Sequence, residues 1–143
     1  MKLSTKTRYG TRAMLELALN YQSGNGVVSV REIAACQQIS PKYLEHLLAS
    51  LRAAGLVRSI RGTHGGHTLA KPPDQISLRE IYHVFEGAEG FVECTTSPGI
   101  CDRIDGCVTQ AMWAQIYDAC MELLESTTLE DLIHRVRNKR GED

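Results

Sequence analysis

The stretch SVREIAACQQISPKYLEHLLASLRAAGLVRSIRGTHGGH, residues 29–67, decides the fold. Ser29 with Glu32 behind it has the form of a capping box, in which two side-chain oxygens each take an orphan backbone N–H at a helix start. It predicts a short helix that buries Ile33 and Ala34. Gln37 to Ile39 then reads as a turn. Ser40 offers a second N-cap, and Pro41 fits a first helical position, where its missing N–H costs nothing. Tyr43, Leu44, Leu47, Leu48 and Leu51 recur at helical spacing and predict a longer helix to about Ala54, stopped by Gly55. Two short extended runs, Leu56 to Ile60 and His67 to Ala70, flank the tip Arg61-Gly-Thr-His-Gly-Gly66. Its glycines can supply the positive φ of a hairpin turn.

Upstream, residues 5–22 read as a helix with Ala13, Met14, Leu17, Ala18 and Tyr21 on one stripe, ended by Ser23-Gly-Asn-Gly26. Downstream, Pro72-Pro73 breaks the chain. Ser77 and Glu80 form another capping box, opening a helix over Ile81, Val84 and Phe85. Residues 87–106 read as a loop. A long helix over about 107–126 carries one stripe of Val108, Met112, Ile116, Ala119 and Leu123, and another of Trp113, Ile116, Tyr117, Cys120 and Leu124. That is more apolar face than a surface helix of a monomer needs. One side is expected to pack on the first domain and the other on a second subunit. A last helix starts near Thr128, carries Leu129, Leu132, Ile133 and Val136, and ends in a solvated basic run from Arg135 to Arg140.

Helix, short helix, turn, longer helix and glycine-tipped hairpin is the winged helix-turn-helix order. The expected fold is mainly α with a small β-hairpin: a winged helix-turn-helix DNA-binding domain plus a long dimerisation helix. The expected organisation is a DNA-binding domain over 1–73, a connecting helix and cysteine-rich loop over 74–106, and the dimerisation and C-terminal helices over 107–143.

Charge divides along the same line. Residues 1–71 hold 10 Lys/Arg and 3 Asp/Glu, whereas residues 72–143 hold 6 and 14, so a net charge of −1 conceals a basic half and an acidic half. Only the first half is suited to face a polyanion. On the longer helix, Ser40, Lys42, Tyr43, Glu45 and His46 lie near the end expected to lead into a major groove. Glu45 is either a solvated residue or a reader of a cytosine amino group. On the hairpin, Arg58, Arg61, Gly62 and His64 suit the narrow minor groove. Lys2, Lys6, Arg8 and Arg12 can add phosphate contacts, which position without specifying. The expected partner is double-stranded DNA with a pseudo-palindromic operator.

Cys94, Cys101 and Cys107 fall within one Gly-, Pro- and Asp-rich stretch, and the chain has five cysteines, an odd number. The N-terminus lacks the apolar core of a signal peptide, and no apolar run approaches membrane-spanning length. A cytoplasmic protein without membrane association is therefore expected, and thiols there stay reduced. The cluster points to metal or redox chemistry rather than to disulfides. Cys36 and Cys120 are expected to be buried structural residues, because each lies in an apolar helical pattern. No nucleophile–base–orienter set is visible, and an acidic loop is not expected to lower a thiol pKa, so no enzyme is expected.

Leu3-Ser-Thr-Lys-Thr-Arg-Tyr-Gly10, Ile39-Ser-Pro-Lys-Tyr-Leu-Glu-His46, Leu51-Arg-Ala-Ala-Gly-Leu-Val57, Arg61-Gly-Thr-His-Gly-Gly-His67, Cys107 and Ala111-Met-Trp113 together resemble the IscR/NsrR/RirA/CymR-type bacterial winged-helix regulators. The resemblance covers nearly the whole chain. His67 departs from it, standing where the family usually has Tyr. The resemblance implies a homodimer joined by the long helix, repressing or activating promoters according to iron–sulfur, redox or nitrosative status. It also implies that Cys94, Cys101 and Cys107 ligate an iron–sulfur cluster, with 2Fe–2S favoured over 4Fe–4S because the closest motif belongs to that branch. The loop is one residue longer than in that branch. Gln110 replaces the histidine ligand of one group and Arg8 the carboxylate of another, so the fourth ligand stays open among Glu93, Asp102, Asp105, Gln110 and water. Two alternatives remain: a winged-helix regulator with a zinc or thiol-redox site, and a sulfur-metabolism regulator acting through a protein partner.

Overall fold

The structure is a computed structural model that describes residues 2–24 and 26–142; Met1, Asp143 and Asn25, the last within the predicted stop after the first helix, lie outside them. Helix α1 (Thr5–Gln22) begins at Ser4, whose side chain accepts from the Thr7 N–H, and its Ala13, Met14, Leu17 and Ala18 are fully buried. Helix α2 (Val30–Gln37) has both halves of its capping box and buries Ile33 and Ala34. Its C-cap, Gln38, sits at φ 54, the left-handed conformation that lets the chain turn. Helix α3 (Pro41–Ala53) starts on the Ser40 cap and buries Leu44, Leu47, Leu48 and Leu51.

Strands β1 (Val57–Ile60) and β2 (Gly66–Leu69) pair antiparallel, with Ser59 opposite His67 and Ile60 opposite Gly66. A third segment joins them. The Val28 N–H donates to the His67 carbonyl and the His67 N–H to the Val28 carbonyl, both at 2.8 Å. The approach requires glycine at position 66, where a Cβ would overlap the Val28 carbonyl and come within 3.0 Å of the Ser29 nitrogen.

Helix α4 (Leu78–Glu86) opens on the Ser77–Glu80 capping box. Helices α5 (Val108–Ser126) and α6 (Leu129–Arg140) follow the loop, and α6 has its own box from Thr128 and Asp131. The starts of α4 and α6 lie side by side, because the Leu78 N–H donates to Thr127 at 2.8 Å and the Leu129 N–H to Ile76 at 3.0 Å. From there α6 folds back on α1. Leu129 and Ile133 are fully buried in the same cluster as Met14 and Leu17, and Gln22 bonds both Glu130 and Arg137. Each fully buried aliphatic side chain stabilises by roughly 1.5–3 kcal/mol.

Helix α5 contrasts with this core: Met121 is its buried side chain, while Val108 is 82% and Leu123 67% exposed and Met112 and Trp113 are also open to solvent. Among the described residues no helix is long and apolar enough to cross a membrane. The expectation for Cys36 is corrected: it is exposed on α2. A helix this short buries one face, already taken by Ile33 and Ala34, and Cys36 lies two residues past Ala34, turned away from it. Cys120 is half-buried rather than buried, on the wall of a cavity between α4 and α5.

Candidate nucleic-acid interface and cysteine loop

The N-terminal end of α3 is held by short-range chemistry. Ser40 Oγ accepts from the Tyr43 N–H at 3.1 Å, and Pro41 occupies the first helical position. The free N–H groups and positive dipole end of this helix therefore face outward, a geometry that favours phosphate. Lys42, Glu45 and His46 are exposed on α3. Tyr43 is half-buried, and its ring meets that of Tyr9 edge to face at 6.2 Å. It ties α3 to α1 as well as lying near the outer surface.

Lys6 comes together with this surface. A cleft of about 280 Å³ is lined by Lys6, Tyr43, His46, Leu47, Ser50 and Phe85. Lys2 does not: it borders a separate, mainly apolar cavity with Leu3, Tyr82, Phe91 and Cys120. Arg12 is occupied elsewhere. Its guanidinium lies 5.1 Å from the Tyr9 ring centre and bonds the Gln37 side chain at 2.6 Å and the Gln37 carbonyl at 3.1 Å. It caps the C-terminus of α2, where a cation is favoured. Arg8 is exposed and reaches Thr5 at 3.5 Å.

On the hairpin, Arg58, Arg61, Gly62 and His64 are all exposed. Gly62 adopts φ 111, and the Gly65 N–H closes the tip on the Gly62 carbonyl at 3.0 Å. The tip is thus a compact turn carrying a cation where it projects. Between α3 and the hairpin lies a cleft of about 450 Å³, whose wall includes Glu45, Arg52, Ser59, Gly62, Gly66 and His67. Burial, then the nearby Arg52 charge, lower the His67 pKa, and Glu45 partly opposes them. Sequence reasoning did not single out Arg52 and Ser59, because their link crosses from helix to strand and leaves no local motif.

The loop between α4 and α5 contains three short 3₁₀ turns, Glu93–Thr95, Pro98–Ile100 and Ile104–Gly106. Cys94 and Cys107 are partly buried, Cys101 is exposed, and all three are free thiols. Among the described residues no three His, Cys, Asp or Glu side chains lie close enough together to hold one metal ion, so the loop does not gather the three thiols in this conformation. Two contacts fasten its first half to α5: Phe91 packs edge to face on Tyr117 at 5.2 Å, and Gln110 Nε2 donates to the Cys94 carbonyl at 3.4 Å. Gln110, a candidate fourth ligand, is used here as a donor. Cys107 corrects the expectation for the thiols. It is the N-cap of α5 and shares a hydrogen bond with Thr109 Oγ1 at 3.2 Å. That bond, then the Gln110 backbone N–H, hold its pKa below the usual thiol value. The donor chemistry fits a thiolate-bound metal cluster: three reduced sulfurs on one loop, one already biased towards thiolate.

Sequence reasoning also missed Glu86. This last residue of α4 accepts from the Ser4 N–H at 2.8 Å and from the Thr7 hydroxyl. These bonds, led by those from Ser4 and Thr7 side chains, lower its pKa.

Comparison with known proteins follows this geometry. A family model described as "Rrf2: Iron-dependent Transcriptional regulator" matches residues 3–135. The HTH-type transcriptional regulator CymR of Bacillus subtilis is 44% identical over 132 residues, covering 92% of this chain and 89% of the relative. Among solved structures, T. potens IscR superposes with a TM-score of 0.79 at 37% identity, over 97% of this chain and 90% of that one. CymR of B. subtilis, described there as the global cysteine regulator, superposes with a TM-score of 0.79 at 43% identity, over 92% of this chain and 95% of that one.

Proposed function

The chain belongs to the Rrf2 family of transcriptional regulators, and we propose that it works as a cytoplasmic homodimer whose binding to a pseudo-palindromic operator depends on an iron–sulfur cluster. The relatives are named as regulators rather than enzymes. One observation carries the cluster: Cys94, Cys101 and Cys107 are free thiols on the single loop that joins the DNA-binding body to α5. The family's description as iron-dependent supports it. Cys94, Cys101 and Cys107 would hold the cluster, with 2Fe–2S preferred over 4Fe–4S. When bound, such a group supplies a centre that oxidants and nitric oxide can alter.

The chain's own residues supply the rest. Ser40, Lys42, Tyr43, Glu45 and His46 present α3 to a major groove, while Arg58, Arg61, Gly62 and His64 present the wing to the adjacent minor groove. Lys6, beside Tyr43 and His46, adds a phosphate contact. The exposed stripe of Val108, Met112 and Leu123 on α5 pairs two copies, so that two α3 helices meet half-sites about one helical turn apart. Hydrogen bonds from Thr109 and the first-turn N–H groups of α5 lower the Cys107 pKa, which favours its use as a ligand.

A second reading keeps the DNA-binding half and uses the thiols as a zinc or redox site, or regulates sulfur metabolism through a protein partner. The low-pKa Cys107 and the likeness to a cysteine regulator favour it. Iron and acid-labile sulfide, measured per chain after purification without oxygen, separate the two. About two or four of each, lost in Cys94→Ala, supports the cluster. No sulfide with about one zinc, or neither metal, sinks it. Duplex binding whose affinity falls steeply with salt tests the DNA half independently.

A further inference from the structure

We propose that Arg52, Ser59 and His67 form a side-chain clamp that sets the angle of the wing against the recognition helix, making them specificity-determining positioning residues for minor-groove contact. The inference rests on the DNA-binding reading but not on the cluster. Arg52 Nη1 donates to Ser59 Oγ at 3.1 Å, and Ser59 Oγ meets His67 Nδ1 at 3.3 Å. Arg52 lies in the last turn of α3, Ser59 on β1 and His67 on β2, so one string of polar atoms runs from α3 to both strands of the hairpin.

Arg52 can only donate, so Ser59 Oγ accepts from it; the hydroxyl has a second lone pair and one proton, so Ser59 Oγ and His67 Nδ1 bond with either as donor, according to the imidazole tautomer. The surroundings disfavour a charged His67. From α3, Arg52 disfavours a second cation and Glu45 only partly compensates; the Val28 segment on the other side brings backbone groups; and the site is partly buried. The His67 backbone is held between Ser59 and Val28, which leaves its side chain as the adjustable piece.

The clamp governs reach. Arg61 and His64 ride on the tip beyond the Ser59–His67 rung, while His46 and Lys42 ride on the helix that Arg52 ends. A two-stranded ribbon is marginal alone, so a tie across the cleft fixes how far the tip stands from the helix. Loss of the tie is expected to let the tip sample several positions. Base preference read by Arg61 would relax, while preference read by α3 would stay.

The test compares Ser59→Ala with Ser59→Thr, which keeps the hydroxyl. In the DNA-free protein, amide exchange over residues 60–66 should quicken about fivefold in Ser59→Ala and stay near wild type in Ser59→Thr, the scale expected for losing the two solvent-exposed Ser59 hydrogen bonds. In selection from a randomised duplex library, Ser59→Ala should lose discrimination at the wing-contacted positions alone, with Ser59→Thr restoring it. Unchanged exchange in Ser59→Ala overturns the clamp whether or not the protein binds DNA. Quickened exchange with intact discrimination overturns its role in specificity. If the wild type binds no duplex at any salt, the specificity role falls with the DNA-binding reading, and the clamp itself is then judged by exchange alone.

Discussion

Replacing Glu86 by Ala removes one acceptor from three places at once. Its carboxylate takes the Ser4 N–H at 2.8 Å and the Thr7 hydroxyl, and it places a negative charge at the first turn of α1. A hydrogen bond to a charged group contributes about 1.5–3 kcal/mol when shielded, and Glu86 is only partly buried, so the lower end applies. An anion at a helix N-terminus adds about 0.3–1 kcal/mol. Ser4 and Thr7 also bond one another at 3.1 Å and recover part of the loss. The net cost should be about 2 kcal/mol, which for a chain of this size lowers Tm by about 6 °C at fixed protein concentration. The same bonds depress the Glu86 pKa. Its stabilisation is therefore fully present above the unfolded glutamate value of about 4.3 and is lost as pH falls through the lower folded value. Glu86→Gln keeps an acceptor and loses the charge. Its Tm should fall less than wild type between about pH 5 and pH 3, because Glu32 and Asp131, depressed by their own caps, titrate alike in both proteins. Calorimetry across that range decides. A Glu86→Ala Tm within about 1 °C of wild type, or identical acid slopes, would refute the reasoning.

Three further outcomes follow from the geometry. Gly66→Ala drives a Cβ into the Val28 backbone and should cost about 3 kcal/mol or more, with the Val28 and His67 amides losing protection in hydrogen exchange; retained protection would mean the third strand is not needed. Arg61→Ala should weaken duplex binding about tenfold or more and reduce the salt slope by about one, measured by fluorescence anisotropy over a salt series; an unaltered slope removes Arg61 from the interface. Leu123→Glu puts a charge on the open stripe of α5, where Leu123 is 67% exposed. It should leave Tm of the dilute chain nearly intact and shift sedimentation towards the monomer, and an unshifted dimer would place the subunit contact elsewhere.

What was legible in the sequence was what chemistry between near neighbours decides. The caps at Ser29, Ser40 and Ser77 each bond the backbone three residues on, within sight of a short motif. The fold order could be read from such signals, and the family from its resemblance. Contacts across the chain could not. The Val28–His67 bridge spans 39 residues, and the Glu86–Ser4 bond spans 82. The charge of Arg12 is visible in the sequence and its partner Gln37 is not. An apolar run does not show which face of so short a helix Cys36 occupies. Loop acidity does not reveal the helix start beside Cys107, although the N-cap position and Thr109 lie within two residues.

The cysteine loop is therefore tied to the rest of the molecule at two points with different partners. At its start, Glu86 holds Ser4 and Thr7, and Gly87 follows at φ 76, a conformation that suits a hinge. A few residues on, Phe91 and Cys94 bind the loop to Tyr117 and Gln110 of α5. Gathering Cys94, Cys101 and Cys107 around one centre requires the loop to move, since no three ligand side chains meet among the described residues. Movement at the first tie reaches the start of α1 and Lys6, which borders the same cleft as Tyr43 and His46. Movement at the second reaches α5, on which the spacing of two recognition helices would depend. The two routes make different demands. Glu86→Gln loosens the first and leaves the second, whereas Gln110→Ala does the reverse. If loop order sets half-site spacing through α5, Gln110→Ala should abolish the effect of iron loading on DNA affinity and Glu86→Gln should preserve it. The opposite pattern in a binding assay with loaded and unloaded protein would assign the signal to α1 instead.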